Sequence, residues 1–580
     1  MEILSSPVAG VVVGHLVAEG DSVTTGQELA ILESMKIQTP LTAPASGVVQ
    51  RWLAIAGATV QKGYGLCEFV LQGENVSTTA ADGKNIDHPA LLELRERVAL
   101  TQDASRTAAV SKRHVKGYRT ARENLAALCD AGSFVEYGQF AVAAQRQHRD
   151  LDELKRNTSG DGIVTGTAHL NGERAVVIVN DYSVLAATQG YFHHKKLDRA
   201  LSLAQQQTLP VVMYTEGGGG RPGDTDVLTQ FAGLNVPSFA QWAGLRGVVP
   251  RVAVNNGYCF AGNAALFGAA DIRIATKTSW IGMAGPAMIE GGGLGSFLPT
   301  QIGPVESQTR NGVIDVVAEN EAEATVLARK ALSYFQRGVT DDGEGPDQEG
   351  IGEHLPVDRR FAYNVRQIIE QLCDSDSVLE LKPNYGAATL TALVRIAGRP
   401  LGLIASNCKH LGGAIDSEAA DKLADFIELC DQFNLPLVSL VDTPGFMVGP
   451  DSENEGAVRR MSRLFAAGAK ARVPWAAIFL RRAYGLGAMA LTGGSFARPV
   501  YAAAWPTGEF GAMGLEGAVK LGFRKQLEAV ADPAERQALF DRLLAESYDK
   551  GKAIEAASYL EIDAVIEPEQ TRDAIIAALF

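Results

Sequence analysis

Residues 7–12, Pro-Val-Ala-Gly-Val-Val, return as residues 44–49, Pro-Ala-Ser-Gly-Val-Val, 37 positions further along the chain. The same offset pairs Gly20 with Gly57, Val23 with Val60, Gly26 with Gly63 and Leu29 with Leu66. Glycines stand where tight turns need positive φ, and β-branched or apolar residues stand between them. This restricts the segment to two fused copies of one short-strand unit, an all-β quasi-twofold sandwich of about 70 residues. Lys36 falls at the joint between the copies. It sits at the tip of an expected hairpin, with Met35 beside it and strand-like runs at 29–32 and 37–41. A lysine singled out by the repeat in this way suits a swinging arm better than a solubilising surface charge.

The sandwich is expected to end near Leu71. Residues 72–88, QGENVSTTAADGKNIDH, are small, polar and aperiodic, and read as a flexible linker. Such a linker has a root-mean-square span of about 20 Å and a stretched reach of roughly 55 Å. Residues 89–130 read as helical, with Leu91, Leu92, Leu94 and Val98 on one stripe and a second helix through Thr120-Ala121-Arg122-Glu123. Further on, apolar runs such as Ala175-Val176-Val177-Ile178-Val179 alternate with helical patterns, which specifies an α/β core. The acidic stretch 338–358, GVTDDGEGPDQEGIGEHLPVD, reads as the connector between two halves, 89–337 and 359–580. A helix starting near Ser417 should bury Leu423, Phe426, Ile427 and Cys430.

The two halves repeat each other. LPVVMYTEGGG (209–219) aligns with LPLVSLVDTPG (435–445), so Glu216 meets Asp442 and Gly219 meets Gly445. Val249-Pro250 meets Val473-Pro474, and twelve residues beyond each proline stand Gly262-Asn263-Ala264 and Leu486-Gly487-Ala488. A glycine-rich turn that ends a strand and opens a helix presents unpaired N–H groups at the positive end of the helix dipole. Such a nest holds a phosphate or a developing oxyanion. Glycines there also simply let helices pack closely. Two such turns at matching points of a duplication weigh towards chemistry.

The net charge of −14 and pI near 5.3 argue against a nucleic-acid partner. Six cysteines form no CxxC pair, and nine histidines show no HExxH, so no metal is expected. No apolar run approaches the roughly 20 residues of a membrane span. The repeat begins within a few residues of Met1, leaving no signal peptide, and a cytoplasmic protein is expected.

Glu33-Ser34-Met35-Lys36 resembles the attachment motif of the biotinyl/lipoyl carrier family in its biotin form, with Ile37 where Met is usual. Residues 113–580 resemble the carboxyltransferase component of biotin-dependent acyl-CoA carboxylases. The resemblance rests on TARE (120–123) leading to Gly132-Ser133-Phe134, on DTPGFMVGPDSE (442–453), on RRAYGLGA (481–488) and on AAWPTGEFGAMGLEGAVKL (503–521). EGGGGRPGD (216–224), CFAGNAALFGAADI (259–272) and GPAMIEGGGLG (285–295) are most similar to the long-chain acyl-CoA type.

The resemblance implies a biotinyl barrel-sandwich followed by two crotonase-like halves of the ββα-spiral kind. It implies biotin on Lys36, with Met35 and Gly485 on the cofactor side, and an acyl-CoA substrate. One oxyanion hole would be the backbone amides of Gly262 and Asn263, for the acyl-CoA enolate. The other would be those of Leu486 and Gly487, for the biotin ureido group, which acts as base once CO₂ has left it. Each such donor is worth about 3 kcal/mol in the transition state. Asn263 replaces a frequent glycine and Leu486 a frequent small residue, which bears on substrate size. Gly218, Gly219, Arg221, Lys195 and Lys196, with His193 and His194, are candidates for the CoA phosphates, or else solvated charges. Glu216 and Asp442 are expected to orient the turns. With no GxxxxGK[ST], ATP and Mg²⁺ would act through a separate biotin carboxylase subunit, and biotin protein ligase would be a transient partner. A homo-oligomer of carboxyltransferase dimers, hexameric overall, is expected. A subunit of a sodium-pumping membrane decarboxylase is the alternative.

Overall fold

The computed structural model describes residues 1–72, 88–227, 234–336 and 345–580. Nearly all of the expected linker, and the first part of the acidic connector, therefore lie outside the described residues. The chain forms two compact units, Met1–Leu91 and Leu92–Phe580.

The first unit is two four-stranded sheets. The strands Gly10–His15, Ser22–Val23 and Glu28–Ser34 have repeat partners at Gly47–Trp52, Thr59–Val60 and Gly65–Leu71. Gly20, Gly26, Gly57 and Gly63 all turn with φ between 82° and 89°, as their repeat positions predict. Gly10 and Gly47 serve a different need, because a Cβ on either would strike the carbonyl of Glu33 or of Val70 on the neighbouring strand of the same sheet. Leu29, Leu32, Leu66 and Phe69 fill the core between the sheets.

In the second unit the first half is a seven-stranded sheet. Its spatial order is Val316–Ala318, Ile272–Gly282, Arg251–Phe260, Val211–Tyr214, Glu173–Asn180, Ile163–Leu170, Val135–Tyr137. Ile163–Leu170 and Glu173–Asn180 form an antiparallel hairpin, and the following strands run parallel. The second half repeats this with the hairpin Thr389–Ile396 and Arg399–Ser406, then parallel Leu437–Thr443, Trp475–Tyr484 and Tyr501–Ala504. Even strained backbone recurs at equivalent places: Asn171 with Ala397, Leu185 with Leu411 and Thr208 with Asn434 all have positive φ.

Strand alternation sorts the core into layers. Val212 and Tyr214 share one buried cluster with Leu437 and Val441, so that face of each sheet contributes to a seam between the halves. Val211 and Met213 pack instead on the first half's own helix Tyr191–Gln207, whereas Val438 and Leu440 belong to a cluster confined to the second half. Helix Ser417–Gln432 buries Leu423, Phe426, Ile427 and Cys430 in the seam, the four residues its periodicity marks. The stripe at 89–98 behaves otherwise. Helix Pro89–Ala99 forms, but none of its residues is buried. Ile351 and Leu355, inside the stretch expected to connect the halves, pack into the second-half core rather than forming an open tether.

Candidate active site

In the first half, strand Arg251–Phe260 runs through Ala261 into helix Gly262–Gly268. Ala261 has φ 53° and ψ −119°, a conformation non-glycine residues rarely hold, and so this turn carries strain. It is held from three sides. Ala261 N–H donates to Gly282, Phe260 N–H to Gly217, and Gly218 N–H to Ala186. The segment 185–187, with three successive positive φ values, pairs through Gln189 with Gly220. The N–H groups of Gly262 and Asn263 open the helix and so have no acceptor within it. None of the described hydrogen bonds to other segments uses them.

Asn263 turns its side chain inward, where it is fully buried. Its Nδ2 donates to the Gly218 carbonyl at 2.5 Å and to the Ala187 carbonyl at 3.3 Å. Its Oδ1 accepts from Gln189 at 2.8 Å and from Asn180 at 3.2 Å. The amide therefore bolts the turn to its neighbours. Gly218 and Gly219 pack closely, since a Cβ on them would meet Thr188 or Ala261 at 2.8 Å.

The second half builds the same turn differently. Strand Trp475–Tyr484 passes into helix Gly485–Ala490 through Gly485, at φ 58°. A Cβ on Gly487 would lie 2.6 Å from the Gly445 backbone, so two glycine backbones touch where the first half interposes an asparagine. Ile415 and Phe446 pair as Gln189 and Gly220 do. The N–H groups of Leu486 and Gly487 again open a helix with no described acceptor. Leu486 is 61% exposed.

Glu216 and Asp442 end equivalent strands, and both are locked in buried ion pairs. Arg113 grips Glu216 in bidentate fashion at 2.7 and 2.8 Å. Burial pushes the Glu216 carboxyl up to about 7, against the pull of Arg113. Asp442 accepts from Arg481 at 2.9 and 3.1 Å and from Arg482 at 2.7 Å. The arginine partners went unassigned in the sequence because Arg113 lies 103 residues from Glu216. Asp442→Asn should therefore lower the unfolding temperature, since truncating a buried pair costs about 3–5 kcal/mol. The folded variant should keep turnover within about tenfold of wild type, less than the loss of even one transition-state donor. Steady-state kinetics beside a melting curve check this.

Two of the candidate phosphate ligands are corrected by their surroundings. The Lys196 Nζ is buried and donates to the carbonyls of Gly160, at 3.0 Å, and Ile163. Arg221 is paired with Asp161 and, at 2.9 Å, with Asp224, with only 6% of its side chain exposed. Both tie the helix Tyr191–Gln207 to its surroundings and have no cation to offer a ligand. His193 is buried, with burial holding its imidazole well below the usual range, and His194 bonds Ser238 at 2.8 Å. Lys195 alone of the group is exposed, lying over the Tyr191 ring.

Lys36 occupies the two-residue turn closed by the pair Ser34 and Ile37. Met35 (φ 51°) and Lys36 (φ 66°) are both left-handed, the geometry of a type I′ hairpin turn. Both side chains are exposed, Met35 at 94%. Among the described residues nothing pairs with the Lys36 amine, and so the tip fits a covalently attached biotin.

The family model for the carboxyl transferase domain matches residues 112–579, and that for the biotin-requiring enzyme domain matches residues 2–69. The biotin-dependent long chain acyl-coenzyme A carboxylase beta4 subunit of Mycobacterium tuberculosis (strain ATCC 25618 / H37Rv) is 32% identical over 502 residues, 83% of this chain and 92% of that one. A solved single-chain, multi-domain long-chain acyl-CoA carboxylase is 49% identical with TM-score 0.81. The match covers all of this chain and 56% of the solved one. The transcarboxylase 12S hexamer, solved with methylmalonyl-CoA and methylmalonic acid bound, is 29% identical with TM-score 0.75, over 84% of this chain and 94% of that one. The chain therefore belongs to the carboxyl transferase family as a carboxyl-transferring enzyme joined to a biotin-requiring domain.

Proposed function

We propose that this chain is the carboxyltransferase and biotin-carrier subunit of an acyl-CoA carboxylase acting in the cytoplasm. The observation that carries the reading is the pair of matching turns, each with two free N–H groups, in a chain whose hairpin tip presents one unpaired lysine. Lys36 would hold the biotin covalently, and the bound group would supply the carboxyl group and the base needed at the α-carbon of the acyl thioester. The amides of Gly262 and Asn263 hold the enolate oxygen as charge develops on it. Those of Leu486 and Gly487 would hold the anionic biotin side. Neither task needs a side-chain acid or base, which agrees with Glu216 and Asp442 being fully engaged elsewhere. The likeness to a long-chain acyl-CoA carboxylase supports an extended acyl group, and the likeness to a hexameric core supports a hexamer.

Within these 580 residues the carrier and the two halves account for the folded chain. An ATP site needs phosphate-binding loops and carboxylates for Mg²⁺, and the glycine-rich turns are assigned to the two transferase halves. On this reading a biotin carboxylase outside these 580 residues supplies the ATP-dependent step, and biotin protein ligase acts once on Lys36. The purified biotinylated protein should fix no labelled bicarbonate from ATP by itself. Adding the biotin carboxylase should bring fixation onto acyl-CoA, and a series of chain lengths then identifies the acceptor. Full activity from the isolated chain, or activity that requires Na⁺ and a membrane subunit, would overturn the reading. No helix among the described residues is long and apolar enough to cross a membrane.

A further inference from the structure

Where helix Ser417–Gln432 meets the first half, a cavity of about 190 Å³ opens between the two halves. That is far more than the ~15 Å³ needed to admit one water. Its walls carry five cationic side chains against three carboxylates. Three of the cations are matched: Arg251 with Asp271 at 2.7 Å, Arg273 with Asp315 at 2.8 Å, and Lys382 with Asp425 at 3.2 Å. Arg246, at the mouth, turns to Glu428 at 3.2 Å.

Lys422 is left over. It is 1% exposed, and its Nζ donates to the Thr389 carbonyl at 2.8 Å. Among the described residues no carboxylate pairs with it. Glu380 is near enough to act on it through space, but Arg366 holds that carboxylate at 2.7 and 2.5 Å. Burial pushes the Lys422 ammonium down to about 7. A buried lysine without a counter-ion is costly and rare, and this one borders a cavity already rich in positive charge. The Arg273 guanidinium spends Nε and Nη2 on Asp315, and its Nη1 makes no described hydrogen bond.

We propose that this cavity binds a tetrahedral oxyanion of phosphate size, with Lys422 Nζ as its principal donor and Arg273 Nη1 beside it. The anion completes the charge balance at the seam and clamps helix Ser417–Gln432 to the first half. It stabilises the folded protein by mass action, independently of carboxyl transfer.

The test uses the full-length protein prepared without phosphate or sulfate. Its unfolding temperature is followed against inorganic phosphate, sulfate and malonate, with ionic strength held constant by sodium chloride. Phosphate and sulfate should give a saturable rise that malonate does not match. Lys422→Met removes the donor and an unpaired charge together at similar volume. It should weaken phosphate binding roughly tenfold to a hundredfold, the worth of one charge-assisted hydrogen bond. A rise no larger than chloride gives, an equal rise with malonate, or an undiminished rise in the variant would overturn the proposal. Selenate soaked into wild-type crystals decides it without any variant: anomalous density beside Lys422 supports the site, and its absence there removes it.

Discussion

Replacing Lys36 by arginine should abolish both avidin binding and carboxyl transfer while the rest of the protein stays folded. The hairpin tip explains the separation of effects. Lys36 is exposed, nothing described pairs with it, and its positive φ is satisfied by the turn rather than by its side chain. Surface substitutions of this sort change stability by no more than about 0.5 kcal/mol. Arginine keeps the charge and much of the length, but its guanidinium does not lose a proton in proteins and so cannot be acylated as an amine can. An avidin blot and a carboxyl-transfer assay on the same preparation check the expectation. A surviving avidin signal would place biotin on another lysine.

The second large effect is expected at Leu486. Any side chain at Gly487 would collide with Gly445, so a substitution there mixes lost chemistry with lost packing. Leu486 offers the cleaner test, because its side chain is mostly exposed and its N–H is free. Leu486→Pro deletes one donor in the first turn of a helix, where proline is tolerated. It should lower kcat by about 10²–10³-fold. Leu486→Ala keeps the N–H and should retain most of the turnover. Equal losses in the two variants would shift the role from the backbone to the side chain.

Much of this was legible in the sequence because repetition is a geometric statement. The 37-residue repeat placed four positive-φ glycines and the lysine-bearing tip, and the second duplication placed both helix-opening turns. Side-chain partners were less legible. His193, Lys196 and Arg221 read as exposed charge beside a glycine-rich turn, yet each is buried by elements far away in the chain, Lys196 against residues 160–163 for instance. Charge identity is visible in one dimension, whereas its counter-ion is not. Ala261 gave no warning either, since alanine does not advertise left-handed backbone; only its duplicate position, held by glycine at 485, hints that the turn requires it. The leucine stripe at 91–94 had the right period for a buried face, but period alone says nothing about whether a partner is present.

The two turns also differ in how freely descendants of this chain can change them. At the first, Asn263 makes four hydrogen bonds to buried groups, and losing the amide would strand all of them. At the second, Gly487 has backbone pressed against it and Gly485 holds a positive φ. Gly262 is equally confined, because a Cβ there would run into Gln189. Of the four residues whose amides we propose as oxyanion donors, only Leu486 has a side chain answerable to solvent. Mutagenesis of the two turns therefore has one open address among them, and a library saturating position 486 explores nearly all the variation these turns can absorb.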